Sequence, residues 1–267
     1  MQKEGIFMKR TPIQPNLSAF PEQFRSLITG AKVYDSSCSP AARVWFLDTD
    51  EGLYLKSAPA GTLETEAAMT AYFHTKGIGP KVLAYCRDSR DWLLTRAIPG
   101  EDCTHPTCLE DPKRLSETLG ILLRQLHSMD FSDCPVIRNE TYKAYAGHIY
   151  KNRLFDPTDY PDHWGYATPE DAWRIIETQG HLLKQDVLLH GDYCLPNVML
   201  NNWQFSGFID VGHGGIGDRH IDLFWGLWSL GYNLKTNVYS NRFLDAYGRA
   251  DVEEEMFSII RAFECFG

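Results

Sequence analysis

A two-lobed α+β protein is predicted by three features of the 267-residue chain. Its first part alternates short apolar runs with turn residues, the pattern of paired strands. Its second part carries apolar residues at helical spacing over longer stretches. Between the two, "AIPGED" supplies Pro99 and Gly100, a break that divides the chain into lobes of residues 1–98 and 99–267. The composition, 43% hydrophobic and 23% charged, is that of a folded protein, and the length suffices for one large core or two small ones.

The elements follow in chain order. "SSCSPA" is a small-residue turn leading into "ARVWFLDTDEGLYLKSA", two apolar runs separated by "DTDEG" and read as a hairpin. "TLETEAAMTAYFHTKG" then changes to helical spacing, with Leu63, Ala67, Tyr72 and Phe73 on an inward stripe and Gly77 as the stop. "KVLAYCRDSRDWLLTRAIPG" holds another strand pair that turns near Asp88 to Asp91, so the first lobe reads as strands with one helix. The second lobe opens with "DPKRLSETLGILLRQLHSMD", where Asp111 caps, Pro112 begins the first turn, and Leu115, Leu119, Leu122 and Leu126 share one side. Further helices are expected over residues 139–156 and 169–184, separated by the aromatic, Pro-rich "DPTDYPDHWGY". Three terminal helices are expected from "HIDLFWGLWSLGYNL", "YSNRFLDAYG" and "VEEEMFSIIRAFECF", and no internal repeat interrupts the series.

Charge and cysteine usage narrow the function classes. Residues 1–100 carry 12 Lys and Arg against 10 Asp and Glu, whereas residues 101–267 carry 14 against 25, a net of −11. An acidic second lobe disfavours a nucleic-acid footprint and attracts cationic partners. No stretch approaches the roughly 18 apolar residues of a membrane span, and the start has no signal-peptide pattern. Seven scattered cysteines read as reduced thiols in a cytoplasmic protein.

The chemistry gathers around "LLHGDYCLPNVML" and "FSGFIDVGHGG", which place Asp192, Asn197 and Asp210 close together beside apolar runs. An isolated "HGD" is also an ordinary turn, so the rest of the chain decides its meaning. Lys56 ends the strand "LYLK", where an ammonium needs an anion, and Glu66 lies in the helix that follows. Together these five residues form a set suited to phosphoryl transfer. One ammonium contacts nucleotide phosphates, a Glu orients it, an Asn and an Asp hold magnesium, and another Asp positions the acceptor hydroxyl. No "GxxxxGK[ST]" is present, which disfavours a P-loop enzyme; "SSCSPAARV" before the paired strands could cover phosphates with backbone amides, although it lacks the Gly-x-Gly-x-x-Gly pattern.

The set "LYLK", "ETE", "HGDYCLPN" and "SGFIDVGHGG" resembles the aminoglycoside phosphotransferases, particularly those acting on the 3′-hydroxyl, which are small bacterial relatives of the protein kinases. "HGDxxxxN" followed by "xIDxG" is shared with choline, homoserine and macrolide kinases, whereas "HSMDFSDCP" and "SGFID" are more specific to the 3′-enzymes. The resemblance implies a protein-kinase-like fold. Its N-terminal lobe, an antiparallel sheet with a helix, binds nucleotide; its mainly helical C-terminal lobe holds the catalytic and aminoglycoside sites. The implied reaction moves the γ-phosphate of ATP, with GTP also open, to the 3′-hydroxyl of an aminoglycoside with Mg2+ as cofactor, conferring resistance.

Carried over by motif, Asp192 resembles the catalytic Asp, Asn197 and Asp210 the metal ligands, and Lys56 with Glu66 the lysine–glutamate pair. His190 braces the loop rather than acting as a base. Tyr54 is similar to the aromatic that stacks on adenine, and Thr95 to Ile98 to the linker whose backbone reads the adenine edge. Ser39 belongs to the phosphate-covering loop. Acceptor contacts are implied at Asp162, Asp192, His213, Asn233, Glu264 and the chain end at Gly267. His213 stands where an Arg is common, and Tyr232 and Asn233 stand where the pattern is acidic. A kinase for another small alcohol, such as a macrolide or a choline-like compound, is the neighbouring reading. A non-catalytic nucleotide-binding module is a reading of another class, and magnesium-dependent phosphate transfer separates it from an enzyme.

Overall fold

The computed structural model describes residues 10–156 and 164–266. The chain forms two compact units: Met1–Glu110 with Leu195–Gly212, and Asp111–Cys194 with His213–Gly267. The first unit therefore continues past the Pro99–Gly100 break and takes back a segment from the middle of the second half. Strand pairing explains the difference. The short β7 (Glu101–Asp102) pairs with β9 (Val198–Asn201), and β9 pairs with β10 (Gln204–Phe208). Gly100 permits this: its φ is +101°, and a Cβ there would meet the Leu200 carbonyl oxygen at 2.2 Å.

The main sheet of the first unit is antiparallel, in the order β1-β2-β3-β4-β6-β5. Its strands are β1 (Thr11–Ile13), β2 (Lys32–Asp35), β3 (Arg43–Asp48), β4 (Leu53–Pro59), β5 (Val82–Arg87) and β6 (Arg90–Arg96). The turn expected between the last two is in place. Alternation along β4 sends Leu53 and Leu55 to one face and Tyr54, Lys56 and Ala58 to the other. The first face packs Leu47, Leu53, Leu55, Trp92 and Leu94 against Phe20, Phe24 and Ile28. Phe24 and Ile28 belong to α1 (Glu22–Thr29), a helix the sequence reading did not anticipate. Its signal was the spacing of four between Phe20, Phe24 and Ile28, with Pro21 at its start. The second face packs Ala58 and Leu93 against Leu63 and Ala67 of the segment that begins α2 (Glu64–Thr75), the helix that was expected.

Among its described residues, the second unit is helical apart from the pair β8 (Val187–Leu189) and β11 (Gly215–Gly217). After the single-turn α3 (Pro106–Leu109) of the first unit comes α4 (Pro112–His127). Asp111 Oδ1 caps α4 by accepting the Arg114 N–H at 3.2 Å, and the four expected leucines are buried. The others are α5 (Arg138–Asn152), α6 (Pro169–Gln179), α7 (His220–Leu234), α8 (Ser240–Tyr247) and α9 (Met256–Glu264). Tyr142, Ile176, Leu189, Ile221, Ile260 and Phe263 join α5, α6, β8, α7 and α9 in one core. Among the described residues, no helix is long and apolar enough to cross a membrane. None of the seven cysteines is in a disulfide.

Candidate active site

In the first unit, strand alternation aims Lys56 at the face that α2 covers. Its ammonium donates to both Glu66 carboxylate oxygens at 2.8 Å and to Asp210 Oδ1 at 2.8 Å. The sequence pairing of Lys56 with Glu66 is thus joined by a third member. Burial alone would lower the lysine's pKa, but Asp210 and Glu66 outweigh it and hold the ammonium above the ordinary lysine range. Burial pushes the Glu66 carboxyl up, Lys56 pulls it back, and Asp210 adds to the rise. Asp210 itself lies just beyond β10 with φ at +58°, a left-handed conformation that Asp tolerates and that local structure must enforce. Two backbone bonds supply that enforcement: Phe208 N–H to the Ile78 carbonyl at 2.7 Å, and Ile209 N–H to the Asn197 carbonyl at 3.0 Å. The second ties the Asp210 turn to buried Asn197. Two hard oxygen-bearing side chains on adjoining backbone are a donor set that suits magnesium, which takes few protein ligands and keeps waters and phosphate oxygens for the rest.

The same face carries Tyr54 and Thr95. Tyr54 and Thr95 are direct cross-strand neighbours, and Tyr54 packs on Phe46 with ring centroids 5.1 Å apart. The Tyr54 hydroxyl accepts a bond from Arg10 at 2.8 Å. Thr95 lies within β6 rather than in a linker. Beyond it, Arg96 and Ala97 give their N–H groups to the Lys81 and Gly52 carbonyls, at 3.0 and 2.9 Å. Ile98 follows the strand. Ser39 is exposed in the β2–β3 connection, where Val44 N–H bonds to Ser37 Oγ and Ser37 N–H to Asp35 Oδ1.

In the second unit the "HGD" turn is fixed by a residue the sequence reading gave no role. The buried Asp222 of α7 accepts the N–H of His190 and of Gly191, each at 2.7 Å, one on each carboxylate oxygen. It also lies 3.1 Å from His127 Nε2, while His127 Nδ1 lies 2.9 Å from the Tyr247 hydroxyl. Burial lowers the His127 pKa against the pull of Asp222. A neutral ring then donates from Nε2 to Asp222 and accepts at Nδ1 from Tyr247. His190 is fully buried, and its Nδ1 lies 3.3 Å from the Asp192 amide nitrogen, which agrees with bracing. Gly191 has φ at +84°, and a Cβ there would fall 1.8 Å from the His213 carbonyl oxygen. Only glycine fits where "HGD" meets "VGHGG". Asp192 therefore sits on a loop fixed from both sides, with its carbonyl accepting the Cys194 N–H at 2.7 Å.

The expected acceptor residues diverge. His213 is exposed, with Nδ1 3.3 Å from Arg138 Nη2, so Arg138 of α5 places a guanidinium beside the position where an Arg was missed. Glu264 is buried rather than displayed. Its Oε1 accepts the Tyr142 hydroxyl at 2.5 Å and the Trp225 indole N–H at 3.1 Å, and burial pushes its pKa up to about 6. The amide nitrogen of Asn233 turns back to the Ser229 carbonyl, 2.8 Å away in the same helix, which spends its donor inside α7. Asp162 and Gly267 lie outside the described residues.

A cation shared by two carboxylates in one unit, and a braced Asp turn in the other, are the parts a phosphotransferase requires. Residues 39–257 match the model of the phosphotransferase enzyme family known as APH, and the chain belongs to that family. Its similarity runs to the 3′-enzymes within it. The chain is 44% identical over 255 residues to a probable aminoglycoside 3′-phosphotransferase of Lactococcus lactis, covering 94% of this chain and 97% of that protein. It is 30% identical over 207 residues to an aminoglycoside 3′-phosphotransferase of Niallia circulans, covering 76% and 79%. The crystal structure of an aminoglycoside-3′-phosphotransferase of type VIII superposes with a TM-score of 0.73 at 26% identity, covering 88% of this chain and 94% of that one. The protein-kinase-like α+β fold expected from the sequence is the fold found.

Proposed function

We propose that this protein transfers the γ-phosphate of ATP to the 3′-hydroxyl of an aminoglycoside and so confers resistance. The observation that carries the reading is the Lys56 ammonium held at 2.8 Å by both Glu66 and Asp210. A pre-oriented cation of this kind meets phosphate charge without reorganising at the moment of transfer. Asp192 accepts a hydrogen bond from the acceptor hydroxyl, holds that oxygen in line, and takes its proton as transfer completes. Asn197 and Asp210 hold magnesium, which when bound neutralises charge on the transferring phosphate. Tyr54 stacks on the adenine beside Thr95, and the backbone at Ile98 reads its edge. GTP use stays open with the small Thr95, and Ser39 belongs to the loop over the phosphates. The carboxylates of the acidic lobe receive the acceptor's ammonium groups.

Incubation with ATP, magnesium and kanamycin, followed by NMR of the product, tests the reaction; phosphate is expected on the 3′-oxygen. Good turnover of a 3′-deoxy acceptor with none of a 3′-hydroxyl one would sink the proposal.

The shared cation also ranks two substitutions. Glu66→Ala leaves Lys56 anchored by Asp210, so kcat/KM for ATP should fall by roughly tenfold. Lys56→Ala removes the phosphate contact and leaves two carboxylates facing each other, so kcat/KM should fall by roughly 100-fold and stability with it. Steady-state kinetics that ranked Glu66→Ala as the more damaging would contradict the roles assigned.

A further inference from the structure

The brace behind Asp192 does not end at Asp222. It continues through two more buried side chains, His127 of α4 and Tyr247 of α8. Asp222 Oδ2 is shared: the His190 nitrogen lies 2.7 Å from it and His127 Nε2 lies 3.1 Å from it. On the other edge of the imidazole, Nδ1 lies 2.9 Å from the Tyr247 hydroxyl, and the two rings meet edge to face at 5.6 Å. Every member of the series is enclosed, so none can turn to bulk water for a partner.

That enclosure leaves one arrangement of protons. Burial pushes the Tyr247 phenol up to about 12, so its hydroxyl keeps a proton to donate. Burial also lowers the His127 pKa, and a neutral imidazole has one N–H and one lone pair. A proton on Nδ1 would turn the Nε2 lone pair towards the Asp222 carboxylate, acceptor against acceptor. A proton on Nε2 satisfies both ends: Tyr247 donates to Nδ1, and Nε2–H donates to Asp222. The phenol therefore selects the tautomer that lets His127 hold the carboxylate.

The helix packing brings Tyr247 within reach. α4 and α8 meet at Gly120, where a Cβ would fall 2.4 Å from the Phe243 carbonyl oxygen and 2.9 Å from the Tyr247 nitrogen. α4 also anchors the catalytic turn directly, because the Tyr193 hydroxyl donates to the Leu119 carbonyl at 2.8 Å. One helix thus carries both the ring that holds Asp222 and the carbonyl that holds the residue after Asp192.

Resting on the reaction proposed above, we infer that Tyr247 is a positioning residue for Asp192: by fixing the His127 tautomer it orients Asp222, whose carboxylate sets the His190–Gly191 turn.

Tyr247→Phe in the full-length protein, with ATP and kanamycin as substrates, tests this. The ring still fills its space, while Nδ1 loses its donor. Turnover should fall about tenfold, the scale of one buried hydrogen bond, with the KM for ATP unchanged. Amide hydrogen exchange at His190 and Gly191 should quicken, a readout that needs no catalysis. An amide side chain has no tautomer to select, so His127→Gln should donate to Asp222 without help from the phenol. In that background Tyr247→Phe should cost less than about twofold in turnover. A tyrosine that only fills the core would cost as much in either background, and that result would overturn the proposal. So would imidazole-ring NMR of the unsubstituted protein showing His127 protonated on Nδ1. If the unsubstituted protein phosphorylates neither kanamycin nor neomycin, the reaction itself is overturned. Faster exchange in Tyr247→Phe would then still support the brace, and unchanged exchange would overturn it.

Discussion

Replacing Asp192 by Asn is expected to leave a folded, ATP-binding protein whose turnover is lower by about 100-fold or more, the usual contribution of a positioned acid–base group. The substitution keeps the shape of the side chain and removes its charge and most of its capacity to accept a proton. The backbone contacts that define the turn are indifferent to the change: the Asp192 amide faces His190 and its carbonyl accepts from Cys194. Gly191 and Asp222 hold the loop from outside. Since a loose transition state asks little basicity early, much of the loss reflects positioning of the acceptor oxygen. Measuring ATP affinity beside turnover isolates the effect. Near-normal turnover in the folded Asp192→Asn protein would reject Asp192 as the catalytic residue.

Asp222→Ala should be destructive for a different reason. It strips acceptors from the N–H groups of His190 and Gly191 and from His127, all enclosed around a fully buried carboxylate. Leaving such donors unpaired costs about 1–3 kcal/mol each, so a total near 5 kcal/mol approaches the stability of a typical domain. Asp222→Asn keeps one accepting oxygen and should lose about 2–3 kcal/mol. It should still fold, with a turnover defect that exceeds its defect in ATP binding because the Asp192 loop is released. Urea unfolding of the two variants, with kinetics of the Asn form, checks both halves. An Asp222→Ala protein as stable and active as the parent would refute the brace.

The contrast between these two aspartates shows what the sequence could reveal. Asp192, Asn197 and Asp210 stood out as candidates because the motifs that carry them are local in the sequence. The helices α2 and α4 were legible because periodicity and caps are local too. Asp222 gathers donors from 31, 32 and 95 residues away, so nothing beside it in the chain announces the role. Asp210 likewise gave no local sign that it would share the Lys56 ammonium across 154 residues. The burial of Glu264 did have a signal: it lies four residues from Ile260 and beside Phe263, on the stripe α9 buries. An acid in such a stripe finds donors inside the protein, here Tyr142 and Trp225. The helix α1 was missed because its two inward residues were too few to stand out from the polar run around them.

The return of residues 195–212 to the first unit has a consequence for how the chain is made. A polypeptide growing from its N-terminus usually folds its leading domain while the rest is still being added. Here the strand that pairs with β7, and the Asp210 that meets Lys56, are not synthesised until most of the second unit's length has already been laid down. Until then Lys56 and Glu66 have only each other, and β7 has an open edge. A ribosome halted after Glu110 would therefore present an incomplete unit, and a plasmid encoding only that stretch would be expected to yield a product prone to edge pairing. Joining residues 1–110 to 195–212 through a linker would supply every described strand of this unit.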